Sequence, residues 1–184
     1  MKNEGPYIKE WLDFHILVGV EKFYLYDNDS TDNTVEILKP YIDSGIVEYT
    51  YFPGRAQQRP AYYDVINKHA DDTRWMALID LDEFLVPVQH KTLPEFLHTL
   101  PRFSQLIISW VDYGSNGHET KPDGLVIENY TKHARDNWGV KSIINPRLIT
   151  YLGNPHYNNV AGPTIDENGK KIARVNQQHN PTTI

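Results

Sequence analysis

The run Trp75-Met76-Ala77-Leu78-Ile79-Asp80-Leu81-Asp82-Glu83-Phe84-Leu85 constrains the fold of this chain more than any other stretch. Its apolar half reads as a buried strand, which then delivers three carboxylates within four positions. Side chains alternate between faces along a strand, so Asp80 and Asp82 leave the core on the same side. Two carboxylates on one face repel each other, and hard divalent cations such as Mg²⁺ or Mn²⁺ seek oxygen donors of this kind. A cation carrying a diphosphate is the expected occupant. The plainer alternative is a strand that ends in a solvated acidic turn.

Around this strand, helical and extended patterns alternate. Residues 6–18 carry Tyr7, Ile8, Trp11, Leu12, His15 and Ile16 as one stripe of an amphipathic helix. Residues 22–26 form a short strand pattern. Ser30 or Thr31 is placed to cap a helix running to Tyr41, which Pro40 should end early. Residues 46–52 alternate as a strand, 60–70 and 92–100 read as helices, and 106–111 as a second buried strand. The alternation predicts an α/β fold with a mainly parallel sheet and helices on both faces. Past Tyr113 the pattern loosens, with β-like pieces at 141–144 and 147–152. No repeat or linker divides the 184 residues, so one domain is expected.

Composition narrows the function. A hydrophobic content of 40% suits a globular core, and a net charge of −6 argues against a general binder of nucleic acid or anionic membrane. The absence of cysteine excludes a disulfide framework, a thiolate zinc site and a cysteine nucleophile. With no run of 18 apolar residues and no charged leader before an apolar core, a soluble, cytoplasmic chain is the expectation.

A second acidic turn, Asp27-Asn28-Asp29-Ser30-Thr31-Asp32-Asn33-Thr34, follows the strand pattern at 22–26. Ligands of open α/β sheets bind at the carboxyl ends of strands, and free N–H groups opening a helix favour phosphate. Asp27, the first polar residue after the strand, reads as a ligand contact. Asp32 reads as turn and cap chemistry.

The two turns together resemble the GT-A nucleotide-sugar glycosyltransferases. Asp27 to Thr34 is similar to their D-D-G-S-T-D-x-T turn, and Asp80-Leu81-Asp82 falls where their metal-binding D-x-D lies, about fifty residues on. The resemblance is closest to the family-two-like and family-ninety-two-like branch. Its opening block appears here as Lys2-Asn3-Glu4, Tyr7-Ile8, Glu10-Trp11, His15 and Gly19. The D-x-D-E-F block matches Asp80 to Phe84, and a G-S-x-G-H block matches Gly114-Ser115-Asn116-Gly117-His118. Relatives open with a strand just before the first block, where Met1 stands here, and carry a late N-H-Y block, met in altered form at residues 174–180. The resemblance therefore looks shortened at both ends, and a strand restored ahead of Lys2 is expected to stabilise the fold.

The resemblance implies a single GT-A domain over 1–184, with 1–112 as nucleotide-binding half and 113–184 as acceptor-side half. Asn3, Glu4, Asp27 and Asp80 would contact the nucleotide-sugar. Asp80, Asp82 and the late His156 would hold Mn²⁺ or Mg²⁺, imidazole suiting Mn²⁺ better; a surface histidine is the alternative for His156. Asp112 and His118 are the candidate catalytic base. Asp112 has no firm match in the family blocks and reads somewhat more readily as a solvated loop acid, and His118 reads equally as a loop-stabilising residue. Glu119 follows the same strand end, and Glu83 either orients the metal carboxylates or is solvated. Arg55 and Arg59 suit a diphosphate or a solvated loop, and Gln58, Ala61 and Tyr62 echo a Q-x-x-A-Y-like segment. Trp110 and Trp138 could stack on sugar, though buried packing is the commoner fate of tryptophan. Trp11 and His15 read as core or interface rather than site.

The implied activity is metal-dependent transfer of a sugar from a nucleotide donor, a UDP-sugar by the resemblance, to a glycan or lipid-linked glycan. An inverting outcome, peripheral membrane association and a place in cell-surface polysaccharide assembly are implied as well. The alternatives are a non-catalytic nucleotide-sugar or carbohydrate-binding relative, and a metal-dependent phosphohydrolase or nucleotidyltransferase. The last would want a glycine-rich basic loop near the first strand, which the sequence lacks.

Overall fold

The apolar stripe at the amino end forms helix α1 (Gly5–Leu17), with Ile8, Trp11, Leu12 and His15 on its buried face. In this computed structural model, which describes residues 1–135, 139–175 and 181–183, α1 belongs to the first of two units. That unit comprises Met1–Asp72 and Ile79–Pro101; the second comprises Thr73–Leu78 and Arg102–Ile184.

In the first unit, β1 (Phe23–Asp27) pairs in parallel with β2 (Val47–Tyr51), Phe23 lying opposite Val47 and Asp27 opposite Tyr51. Helices α2 (Thr34–Asp43), α3 (Gln58–His69) and α4 (Leu93–Thr99) complete it. Ile8, Trp11 and Leu12 of α1 cluster with Phe23 and Leu25 of β1, Leu38 of α2 and Val47 of β2. Each such aliphatic or aromatic burial contributes about 1.5–3 kcal/mol, so this cluster fixes where the ends of β1 and β2 lie. Pro40 does not end α2, which continues to Asp43. The N–H that Pro40 lacks would have met the carbonyl of Glu36, an exposed residue whose carbonyl water can satisfy. Nor do Ser30 and Thr31 cap α2: Asn33 precedes its first residue, and both lie within the turn.

Met1 lines the edge of β1 that faces away from β2. Its amine donates to the carbonyl of Tyr26 at 2.8 Å, and Asn28 N–H donates to the carbonyl of Met1 at 2.8 Å. That pair of bonds is the pattern of a parallel bridge to Asp27.

In the second unit, β3 (Met76–Leu78), β4 (Gln105–Ser109), β5 (Val140–Ile144) and β8 (Thr164–Asp166) form one sheet in the order β3-β5-β4-β8. Strand β5 runs antiparallel to both neighbours, and β4 and β8 are parallel. Two antiparallel pairs accompany it, β6 (Ile149–Tyr151) with β7 (Asn159–Val160) and β9 (Ile172–Val175) with β10 (Pro181–Thr183). The fold is mixed α/β. The expected mainly parallel arrangement holds for β1–β2 but not for this sheet, whose four strands include two antiparallel pairings. The described residues of this unit carry one short α-helix, α5 (Val126–Asn129), and a single 3-10 turn at Pro146–Leu148. Burial on both faces gives β5 a continuous buried pattern, and strand direction leaves no mark on such a pattern. A buried polar network fastens the sheet: Gln105 donates to the carbonyl of Asn158 at 2.9 Å and accepts from its N–H at 2.9 Å. The Asn158 amide in turn donates to Ser142 Oγ at 3.2 Å. No helix among the described residues is long and apolar enough to cross a membrane.

Candidate functional site

The first acidic turn is an internal fastening. Asp27 is 1% exposed, and its Oδ1 accepts from Ser30 N–H at 3.1 Å and Ser30 Oγ at 2.6 Å. Its Oδ2 accepts from the Tyr49 hydroxyl at 2.8 Å, and burial together with that bond pushes Tyr49 up to about 12. Asp32 Oδ1 accepts from Thr34 N–H and its hydroxyl, and Oδ2 accepts from Gly5 N–H at 3.0 Å. The hydroxyl of Thr34 binds Glu4 N–H, that of Ser30 binds Asn3 N–H, and Asn3 Oδ1 accepts from Thr31 N–H. The first turn of a helix leaves N–H groups without intrahelical partners. Here Asp32 supplies the partner for Gly5 N–H, the first of α1, and Thr34 and Ser30 hold the N–H groups of Glu4 and Asn3 just ahead of it, while the Glu4 side chain makes no cap. The side chains of Asn3 and Asp27, expected at the nucleotide, are engaged in this fastening.

The second acidic turn gathers its carboxylates at one place. Strand β3 ends at Leu78, and oxygens of Asp80, Asp82 and Glu83 all lie within 4.8 Å of one another. Asp82 is exposed, and Asp80 and Glu83 are half-buried. The turn holds itself: Asp80 N–H donates to Glu83 Oε2 at 2.9 Å, and Glu83 N–H to the Asp80 carbonyl at 3.2 Å. Gln58, at the start of α3, donates to Asp80 Oδ1 at 3.1 Å. Burial, then the nearby Asp80 charge, pushes the Tyr62 hydroxyl above its usual range. Glu4 belongs to the same electrostatic neighbourhood: burial raises its pKa, and Asp82 and Asp32 add to the rise against the Met1 amine. The Met1 amine is itself lowered by burial, against the attraction of Asp27, Glu4 and Asp80. Three convergent carboxylates are hard oxygen donors, so the residues present fit Mg²⁺ or Mn²⁺.

Two groups of α1 reach the backbone of this turn. The Trp11 indole N–H donates to the Glu83 carbonyl at 2.8 Å, and Leu85 N–H donates to His15 Nε2 at 3.2 Å. The sequence stripe marked both residues as core, which they are, at 5% and 0% exposed. Their polar attachments could not be read from apolar periodicity.

The structure brings Glu4, Asp80 and Asp82 into one neighbourhood of the first unit, with Glu83 as the third carboxylate. Asp112, His118 and His156 belong to the second unit. Asp112 and His118 are exposed, on either side of a turn in which Asn116 (φ +55°) binds Thr131 Oγ1 and Lys132 N–H. His118 lies beside the Tyr130 ring at 6.0 Å. Nδ1 of His156 faces the Val140 carbonyl at 2.7 Å and donates to it. Arg55, Arg59 and Glu119 are exposed. Trp110 is packed rather than open: a Cβ on Gly139 would fall 1.7 Å from its ring, and His156 stands edge-on at 5.3 Å. Trp138 and most of the 174–180 block, residues 176–180, lie outside the described residues.

A mixed α/β fold in which three oxygen donors gather just past a strand end defines a broad class of α/β domains with an acidic cluster able to take a cation. The sequence matches the family model of glycosyltransferase family 92 over residues 3–181, and the chain belongs to that family. It is 26% identical over 182 residues to a glycosyltransferase family 92 protein of Oryza sativa subsp. japonica, covering 96% of this chain and 30% of that protein. A family 92 protein of Arabidopsis thaliana is 26% identical over 161 residues, 80% of this chain and 28% of the relative. A galactan beta-1,4-galactosyltransferase of Arabidopsis thaliana is 32% identical over 121 residues, 59% of this chain and 23% of the relative. The chain thus spans less than a third of each of these relatives. No solved structure matches it.

Proposed function

We propose that this chain is the donor-binding part of a metal-dependent, inverting GT-A glycosyltransferase that uses a UDP-sugar. Its acceptor is a glycan or lipid-linked glycan. The observation that carries the reading is the convergence of Asp80, Asp82 and Glu83 at a strand end, in a chain of glycosyltransferase family 92. The similarity to a galactan galactosyltransferase makes UDP-galactose the first donor to test and a β-1,4-linked galactan the first acceptor.

In this reading Asp80 and Asp82 hold Mn²⁺ or Mg²⁺, with Glu83 beside them. The cation supplies charge neutralisation for the departing diphosphate and a template for its oxygens. Gln58 fixes the rotamer of Asp80 through its 3.1 Å bond, and a ligand carboxylate held this way keeps its geometry. Glu83, by accepting from Asp80 N–H, fixes the backbone between the two aspartates. Asp27 keeps β1, β2 and the 27–34 turn in register beside the site, as a positioning residue. The acceptor hydroxyl needs a general base in the displacement. His118, on family resemblance, and Asp112, which follows a strand end, are the candidates, and His156 is the candidate imidazole donor.

Isothermal titration with UDP, GDP and CDP, each with and without Mn²⁺, tests the proposal. Binding of UDP that requires Mn²⁺ is expected. Metal-independent binding, or none to any nucleotide, would remove it.

A further inference from the structure

We propose that Trp11 and His15 are positioning residues that hold the 80–85 turn in the shape its carboxylates need to share one cation. The inference rests on the metal-binding reading above and concerns residues that touch no ligand. The two side chains lie four apart on α1, hence on one face. Each grips the turn's backbone at a different point: Trp11 Nε1–H on the Glu83 carbonyl, and His15 Nε2 on Leu85 N–H. Glu83 is the residue after Asp82 and Leu85 lies two further on, so these bonds fix the course of the chain as it leaves Asp82.

His15 can do this only as a neutral acceptor. Its Nδ1 faces the Trp11 carbonyl at 2.8 Å and must donate there, which leaves the lone pair on Nε2 for Leu85. The surroundings support that state. The ring is buried against Trp11, Phe14 and Phe84, and burial lowers its pKa to about 4. Histidine is thus bound by the carbonyl of its own helix on one side and reads the backbone of another element with the other. A purely apolar residue would fill the space without fixing the register of the turn. Leu38 of α2 is as buried as His15 and shares a core cluster with Trp11, yet carries no polar group.

The test is titration of Mn²⁺ alone into wild type, Trp11→Phe, His15→Leu, His15→Gln and Leu38→Ala, with thermal melts to establish the folded fraction. Outer partners of metal ligands typically contribute about 10–100-fold in affinity. Trp11→Phe and His15→Leu should therefore bind Mn²⁺ about tenfold or more weakly while folded. His15→Gln, which returns an acceptor to Leu85 N–H, should recover most of the loss. Leu38→Ala should lower the melting temperature with wild-type Mn²⁺ affinity. Unchanged affinity in Trp11→Phe, or an equal loss in Leu38→Ala, would overturn the positioning role while leaving the metal site standing. Should His15→Leu not fold, Trp11→Phe against Leu38→Ala decides alone. No Mn²⁺ binding by wild type would overturn the metal reading itself, and this inference with it.

Discussion

The turns at 27–34 and 80–85 look alike in sequence, each a strand running into acids, yet the structure uses them in opposite ways. In the first, Asp27 and Asp32 direct every carboxylate oxygen at donors of their own chain, and Asp27 is 1% exposed. In the second, the backbone is held by Trp11, His15 and Glu83, so the carboxylates of Asp80 and Asp82 are held near each other at the surface. An acidic turn is a scaffold or a site according to which groups satisfy its backbone.

Asp27→Ala should have the largest effect, since it leaves a buried hydroxyl and two Ser30 donors without their charged acceptor. A loss of about 3 kcal/mol in urea unfolding is expected. A loss under 1 kcal/mol would erase the contrast between the turns.

Acid should act through the second turn. His15 has a folded pKa near 4 against an ordinary 6.5, so between those values the unfolded chain binds more protons. Its contribution is complete above pH 6.5 and declines as pH falls toward 4, by up to about 3 kcal/mol. Unfolding midpoints from pH 7 to 4 should show this decline, and His15→Gln should remove that part of it. An equal slope in the variant would contradict the neutral-acceptor role.

Gly5→Ala should come next. The added Cβ would lie 2.1 Å from Asn33 Oδ1 and 2.9 Å from Asp32 Oδ2. It forces apart the fastening between α1 and the first turn, at a cost of about 2 kcal/mol. A neutral change in melting temperature would mean that the fastening is loose.

Asp82→Ala should have the smallest effect on stability, within about 0.5 kcal/mol, because the side chain is exposed. A large loss would move the second turn into the scaffold class.

The sequence located the elements of the first unit to within a few residues, because apolar spacing on α1, β1 and β2 reports burial directly. It also found the strand leading to Asp80, but β3 ends at Leu78, and a turn rather than strand alternation brings Asp80 and Asp82 together. Strand direction in the second unit was not legible: β5 is buried throughout, and the same run would serve in either orientation. Asp27 and Asp32 illustrate another limit. The sequence reads Asp27 as a ligand contact and Asp32 as turn chemistry, and the partners that engage them, Tyr49 and Gly5, lie far along the chain where local pattern does not reach. Trp11 and His15 were legible as core and illegible as anchors, because a hydrogen bond to a backbone 70 or more residues away leaves no periodic trace.

The most direct test of the whole account is calorimetric titration of UDP plus Mn²⁺ into wild type and Asp82→Ala. The account predicts Mn²⁺-dependent binding by wild type, and its loss in a variant that melts at the wild-type temperature. Equal affinity in the two proteins would contradict it.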